Sequence, residues 1–421
     1  MKILIVILMA ITFLPAQCRS VPNECPSLYL RYSLNHSYCA PANNSCQIFY
    51  RGVTQNEINF ILRYHNDVRS VVATGKETKG GGLPKAANML EMVWDTELAS
   101  VAQKRAENCV YEHDCSDCRR VGNFAVGQNI AYTQLICYGK ADCKSNTADW
   151  NKVLTMFYEE VKQFQKKWIS PFQFQHEVGH FTQMIWADTW RLGCGFVAFS
   201  LGNGYRHFFV CNYGPAGNIY GKDLYKKGEP CSKCPSNTCC GKKCKPTGYA
   251  GLCRMTNPNE APVYKPTKSY LLFCDFRSSD GDCSTISNEA NRWQINHALG
   301  GSHAEIILKG GEKSVLYFSK QIKSKGRFCL VLTYRTGPTL AGQIDSNSVV
   351  ATYEPENSSP VKFTLESTGS STEFMNFNMD LLWGGVTKFS IEFSVPVGAP
   401  AQFLNIDKVA ASEGKCTKAE D

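Results

Sequence analysis

Four polar residues in the first half of the chain have types that bind metals or move protons: His113, Gln128, Glu160 and His180. Two imidazoles and a carboxylate can hold a divalent ion such as zinc or relay a proton. His180 stands in Gly179-His-Phe-Thr-Gln-Met-Ile-Trp186, a polar turn before two apolar-rich strands that a Cys194–Cys211 disulfide could tie. It also closes His176-Glu-Val-Gly-His180, which satisfies the H-E-x-x-H pattern of zinc proteases. That chemistry needs both histidines on one helical face, one turn apart, with the Glu as base. Gly179 inside the turn and Pro171 upstream argue against a sustained helix. No third ligand has a familiar spacing, because position 186 is Trp and no Glu occurs between Glu177 and Glu229. His176 therefore reads as a surface residue at the rim of a cleft. No G-x-S-x-G elbow and no Arg-Gly-Asp occur, and no Ser or Cys stands out as a nucleophile.

The elements that must position these groups follow from periodicity. Thr54-Gln-Asn-Glu57 is a capping box. Ile58, Ile61, Leu62, His65, Val68, Val71 and Val72 then recur at helical spacing, which places His65 on the buried face as a core histidine. A second helix is expected from about Asp95 to Cys109, and a third from about Asn151 to Trp168. Between them lies a loop with Cys109, Cys115, Cys118, Cys137 and Cys143. Strands are expected near 193–200 and 206–213, so helices pack on a small sheet. Residues 229–253 hold six cysteines, Cys231, Cys234, Cys239, Cys240, Cys244 and Cys253. Such a segment is a disulfide-stapled module, with zinc binding as the competing reading. Residues 254–269 form a linker. From 270 to 421 short β-rich runs alternate with polar turns, the pattern of an all-β sandwich.

Composition sets the compartment. Residues 1–20 read as a secretory signal, with Lys2 before an apolar run from Ile3 to Leu14. Of 21 cysteines, cutting after Ser20 removes Cys18 and leaves an even number, as full pairing in an oxidising compartment requires. Sequons at Asn35, Asn43 and Asn357 suit glycosylation there. Losing Lys2 and Arg19 leaves 43 basic residues against 37 acids, a net charge near +6. Lysines cluster around 222–245, but no basic–aromatic strip points to nucleic acid. No segment beyond the leader is apolar and long enough to span a bilayer.

Six ordered blocks carry a family resemblance: Ile61-Leu-Arg-Tyr-His-Asn-Asp-Val-Arg69, His113-Asp-Cys-Ser-Asp-Cys118, Val126-Gly-Gln-Asn129, Phe157-Tyr-Glu-Glu-Val161, Gly179-His-Phe-Thr-Gln183 and Cys211-Asn-Tyr-Gly-Pro-Ala-Gly-Asn218. On these, residues 21–228 resemble the CAP family of cysteine-rich secretory proteins, antigen-five venom allergens and plant pathogenesis-related proteins. The antigen-five branch matches best, from the cysteine-stapled N-terminus. The resemblance implies an α-β-α sandwich whose cleft carries two His and two acids. His113, Glu160 and His180 match three of these positions, and Gln128 stands where the family usually has Glu. An amide cannot act as a general base and is a poor metal ligand.

The module at 229–253 resembles the hinge of cysteine-rich secretory proteins, except that Cys239 and Cys240 are adjacent. Residues 270–421 resemble a MAM domain, an extracellular jelly-roll module, through Phe273-Cys-Asp-Phe276, Cys283, Trp293, Phe328-Cys-Leu-Val-Leu-Thr-Tyr334 and Asn405-Ile-Asp-Lys-Val409 before Cys416. That likeness implies Cys274–Cys283 and Cys329–Cys416 pairs, and allows self-association through this domain. The function implied is a secreted, extracellular, non-enzymatic protein of venom or saliva type, toxin- or allergen-like. It would bind host or extracellular protein, lipid or sterol, or a cell surface, and need no cofactor. The alternatives are a metal-dependent hydrolase using His113, Glu160 and His180, and an ion-channel modulator acting through the hinge.

Overall fold

The computed structural model describes residues 25–416 apart from positions 123, 138–142, 265–268, 278–280, 284, 288–292, 299–300, 319, 325, 356–357, 369–371 and 382–385. The leader read over residues 1–20 and the sequon at Asn357 lie outside the described residues.

The chain opens with α1 (Ser27–Tyr32), β1 (Ile48–Arg51) and α2 (Gln55–Ala73). The Thr54–Glu57 capping box forms in full, so the start of α2 is set locally. After β2 (Val93–Trp94) comes α3 (Thr96–Glu107), whose first turn is capped by Asp95 Oδ1 on the Leu98 N–H at 2.9 Å. Then follow β3 (Gly127–Ile136), α4 (Trp150–Glu159), α5 (Gly179–Met184), β4 (Arg191–Leu201) and β5 (Gly204–Gly214). The third helix is shorter than its periodicity predicts. It ends at Glu159, and 3-10 turns at Glu160–Gln163 and Lys166–Trp168 carry Val161 and Phe164 into the core. The Glu160 carboxylate bonds to α5, which holds the chain out of helical register there.

The strands form a sheet in the order β1-β4-β5-β3, with β2 parallel to β4. Strict alternation makes it a two-faced layer. Phe196, Ala198, Phe209 and Cys211 pack with α2, α4 and α5, while Val197, Phe199, Phe208 and Val210 pack with α3. A Cβ at Gly193 would lie 2.1 Å from the Ala99 nitrogen, so α3 sits directly on β4. This is an α-β-α sandwich. Inside it α2 supplies buried polar anchors. His65 bonds the Ile61 carbonyl and the Tyr213 hydroxyl, and Asn66 makes a reciprocal pair with the Met92 backbone.

Residues 229–253 are stapled by Cys231–Cys240, Cys234–Cys253 and Cys239–Cys244, and β6 (Thr238–Cys240) pairs with β7 (Cys253–Met255), which runs two residues further. This segment is bound to the sandwich through backbone bonds of Cys253 to Met89 and Glu91 and an Arg254–Glu91 ion pair at 2.7 Å.

The C-terminal part is a sandwich of two antiparallel sheets. One joins β8 (Leu272–Cys274), β10 (Gln294–Ala298), β11 (Gly301–Leu308), β13 (Phe328–Pro338), β16 (Met375–Leu381) and β18 (Gln402–Glu413). The other joins β9 (Thr285–Ser287), β12 (Lys313–Phe318), β14 (Ser348–Pro355), β15 (Val361–Leu365) and β17 (Val386–Ser394). Strands β9, β10 and β16 are additions to the runs expected from sequence. Cys274–Cys283 and Cys329–Cys416 are bonded, as is Cys194–Cys211 across β4 and β5. The remaining bonds are Cys25–Cys39, Cys46–Cys109, Cys115–Cys118 and Cys137–Cys143.

Burial brings the His65 pKa down to about 4, so the unfolded chain binds its proton first. Its contribution is complete above about pH 6.5 and is lost as pH falls from there to 4, a difference of about 3 kcal/mol. His36, His113, His207 and His303 shift in the same direction. Denaturant midpoints measured between pH 7 and 4 should therefore fall steadily, and His65→Gln should flatten that slope.

Candidate functional site

The cleft is built where β3, the end of α4 and the start of α5 meet. Gly127 opens β3 because a Cβ there would lie 2.0 Å from Gln183 Oε1, and this close approach brings β3 against α5. The next residue, Gln128, projects its amide at His113. Its Oε1 stands 2.8 Å from His113 Nδ1, and its Nε2 donates to Asp114 Oδ1 and Asn212 Oδ1, both at 3.1 Å. Two oxygens on the Nε2 side fix which end of the amide faces the imidazole. His113 Nδ1 is then the donor, and Nε2 is left for the cleft.

His180 is held in the same way by a different group. Its Nδ1 lies 2.6 Å from Glu160 Oε1, and Glu160 Oε2 accepts the Phe181 N–H at 2.9 Å. The ring stacks on Phe157 at 4.5 Å, and its backbone carbonyl accepts from Asn129 Nδ2. A histidine whose Nδ1–H is fixed by an oxygen presents a basic Nε2 in a set direction, as metal-ligating histidines do. Desolvation by the cleft wall lowers the His113 pKa although one edge of the residue is exposed, and nearby Arg119 and His180 act with it. His113 is thus neutral at physiological pH and able to ligate.

Asp114 is the member of this site that sequence reasoning missed. Its side chain is buried and takes bonds from Gln128, from Arg119 at 2.9 Å and from Ser37 Oγ at 2.5 Å. One residue along from His113, it reads as an ordinary loop acid until the fold sets it behind Gln128.

The zinc-protease pattern does not assemble. His176–Val178 is a 3-10 turn, α5 starts only at Gly179, and His176 and Glu177 are exposed. Among the described residues, three metal-binding side chains converge only at Cys231, Cys234 and Cys253, all of them tied up in disulfides. The described site therefore offers a metal two imidazoles, with Glu160 orienting one of them. Of the sequons, Asn35 is exposed, and Asn43 Nδ2 donates to the Asn108 carbonyl at 2.8 Å.

Residues 62–213 match the model of the cysteine-rich secretory protein family, CAP. A protein called Venom allergen 5 from Tityus serrulatus is 41% identical across 98% of this chain and 99% of its own length. The chain belongs to the CAP family. A protein called CRISP/Allergen/PR-1 from Trittame loki is 43% identical over 93% of the chain and 95% of its own length. A solved structure, NaASP2 with Zn2+, is 33% identical and covers 48% of the chain and 97% of its own, at a TM-score of 0.38.

In this CAP protein the amide at position 128 is fixed by Asp114 as much as by His113. Gln128→Glu would put a second carboxylate 3.1 Å from Asp114, where a donor now stands. The variant should lose about 1–2 kcal/mol at neutral pH and recover part of that in acid. The His113 pKa should rise by about one unit, read by NMR titration of its ring protons.

Proposed function

We propose that this chain is a secreted, venom-type CAP protein that acts by binding rather than turnover. Its cleft holds a divalent ion such as zinc through the Nε2 atoms of His113 and His180. The donor set fits such an ion: two imidazoles whose Nδ1 atoms are each held by an oxygen, the remaining positions being left to water or to a ligand group. A bound ion would supply Lewis-acid polarisation or a bridge to an acidic group of a partner.

The observation that carries the reading is that the Glu160 carboxylate is committed to holding its neighbours. Both Glu160 oxygens are engaged, one by His180 and one by the Phe181 N–H, and the second acid position is an amide. A general base needs a free lone pair within reach of the proton it abstracts. Glu160 uses both oxygens to orient its neighbours, and the Gln128 amide has no basic lone pair. The partners in view are an extracellular protein, a lipid or a cell surface. No helix among the described residues is long and apolar enough to cross a membrane.

Two assays on the oxidised full chain test this. Zinc titrated calorimetrically should bind with a micromolar-range Kd, and His113→Ala or His180→Ala should weaken it about tenfold or more. Peptide libraries should remain uncut with or without zinc. Zinc-dependent cleavage that disappears in Glu160→Gln would establish the hydrolase instead.

A further inference from the structure

Two segments beside the cleft are folded into one unit that the site chemistry leaves unused. The Phe172 N–H donates to the Lys222 carbonyl at 2.6 Å, the Gly221 N–H to the Phe172 carbonyl at 3.0 Å and the Leu224 N–H to the Ile169 carbonyl at 2.9 Å. Ser170 Oγ donates to Asp223 at 2.5 Å. Ile169, Phe172, Leu224 and Tyr225 are fully buried beneath, so the base is rigid. What stands above it is apolar and unsheltered. Tyr220 is 78% exposed, Phe174 46% and Ile219 45%. Phe174 lies against Gly179, one residue from His180.

The charge of the same unit is one-sided. Residues 166–174 and 219–227 contain five lysines and a single acid, Asp223, which is bound to Ser170. Lys166, Lys167, Lys226 and Lys227 are exposed. Lys167 reaches over the half-buried Trp168 ring, its ammonium 5.9 Å from the centroid. Glu177 marks the acidic edge of the unit.

We propose that this rim is a membrane-docking face, and that its partner is an anionic lipid bilayer. Three large side chains protruding from rigid turns would enter the headgroup–acyl boundary, while the surrounding lysines meet lipid phosphates and carboxylates. The composition separates a bilayer from a protein partner. Protein interface cores are depleted in lysine, whereas faces that lie on membranes are lysine-rich around exposed aromatic and aliphatic groups. The proposal deepens the binding reading by naming one partner and the face it meets, and it needs no chemistry at His113 or His180.

The test is flotation of the oxidised full chain with phosphatidylcholine vesicles, with and without phosphatidylserine. Partition onto the phosphatidylserine vesicles alone is expected, weakening as salt rises. Tyr220→Asp should lower it about tenfold, and Lys226→Glu with Lys227→Glu by a similar factor. Lys362→Glu, on the C-terminal sandwich, should leave it unchanged. Near-UV circular dichroism will verify that each variant is folded, as the exposure of the altered side chains leads one to expect. Failure of the folded parent to float with anionic vesicles at low salt overturns the proposal. So does flotation that neither rim variant weakens. Binding to cells that protease treatment abolishes, with no vesicle binding, assigns the face to a protein instead. Zinc-dependent peptide cleavage would refute the binding reading of the cleft without altering any of these vesicle results.

Discussion

One guanidinium organises the N-terminal sandwich. Arg69 on α2 is fully buried, and its five N–H donors reach five backbone carbonyls: Leu90 from Nε, Met184 and Trp186 from one terminal nitrogen, Ala187 and Thr189 from the other. Burial drops its pKa to about 9, which still leaves it charged at neutral pH. A buried cation is expensive unless its donors are satisfied, and here each one meets a carbonyl dipole. Helix α5 has only six residues, too short to hold its place by its own hydrogen bonds. Arg69 gathers the carbonyls at its end and along the turn into β4. His180 therefore owes its position to a side chain on another helix.

The same logic explains what the sequence could reveal. Features set by neighbours along the chain were legible: the Thr54 capping box, the burial of His65 and the strands near 193–200 and 206–213. The apolar period through Val161 and Phe164 read as continued helix, because both residues are buried. The break is imposed by Glu160 bonding to α5, twenty residues further on. Arg69 stood inside a recognisable block, but nothing local says that its partners lie near residues 90 and 184–189. Asp114 was hidden for a similar reason, as its meaning depends on Gln128 across the loop. Strand β16 does alternate, with Met375, Phe377, Met379 and Leu381 on one face and the last two buried, so its period of two stands in the sequence itself.

The departure at position 128 is then a coherent local exchange. In a cleft with an acid there, the imidazole at 113 would face a carboxylate and a base would be at hand. Here the amide passes the charge back one step, to Asp114, which Arg119 neutralises. The histidine keeps a fixed tautomer, because an amide oxygen accepts Nδ1–H as a carboxylate would. What position 128 gives up is a carboxylate. The orientation of the imidazole at 113 survives.

The loop that carries His113 also meets the C-terminal sandwich. Thr372 Oγ1 donates to Asp117 at 3.1 Å, and Arg120 pairs with Glu373 at 2.8 Å. Beside it, Arg31 of α1 bonds Glu305 of β11 at 2.9 Å and lies over the Phe403 ring at 4.3 Å. Burial alone would raise the Glu305 carboxyl, but His303 and Arg31 bring it down to about 2, so it is ionised against Arg31. Buried ion pairs of this kind add little net stability, since desolvation consumes most of the attraction, and their value lies in discriminating one geometry from others. The loop bridged by Cys115–Cys118 is thus held on one side by Gln128 through Asp114, and on the other by Thr372 and Glu373. A displacement of the C-terminal sandwich must either break charge-assisted bonds or move the residue next to His113. The extension at the N-terminus and the β-sandwich at the C-terminus are therefore parts of the frame that fixes the cleft.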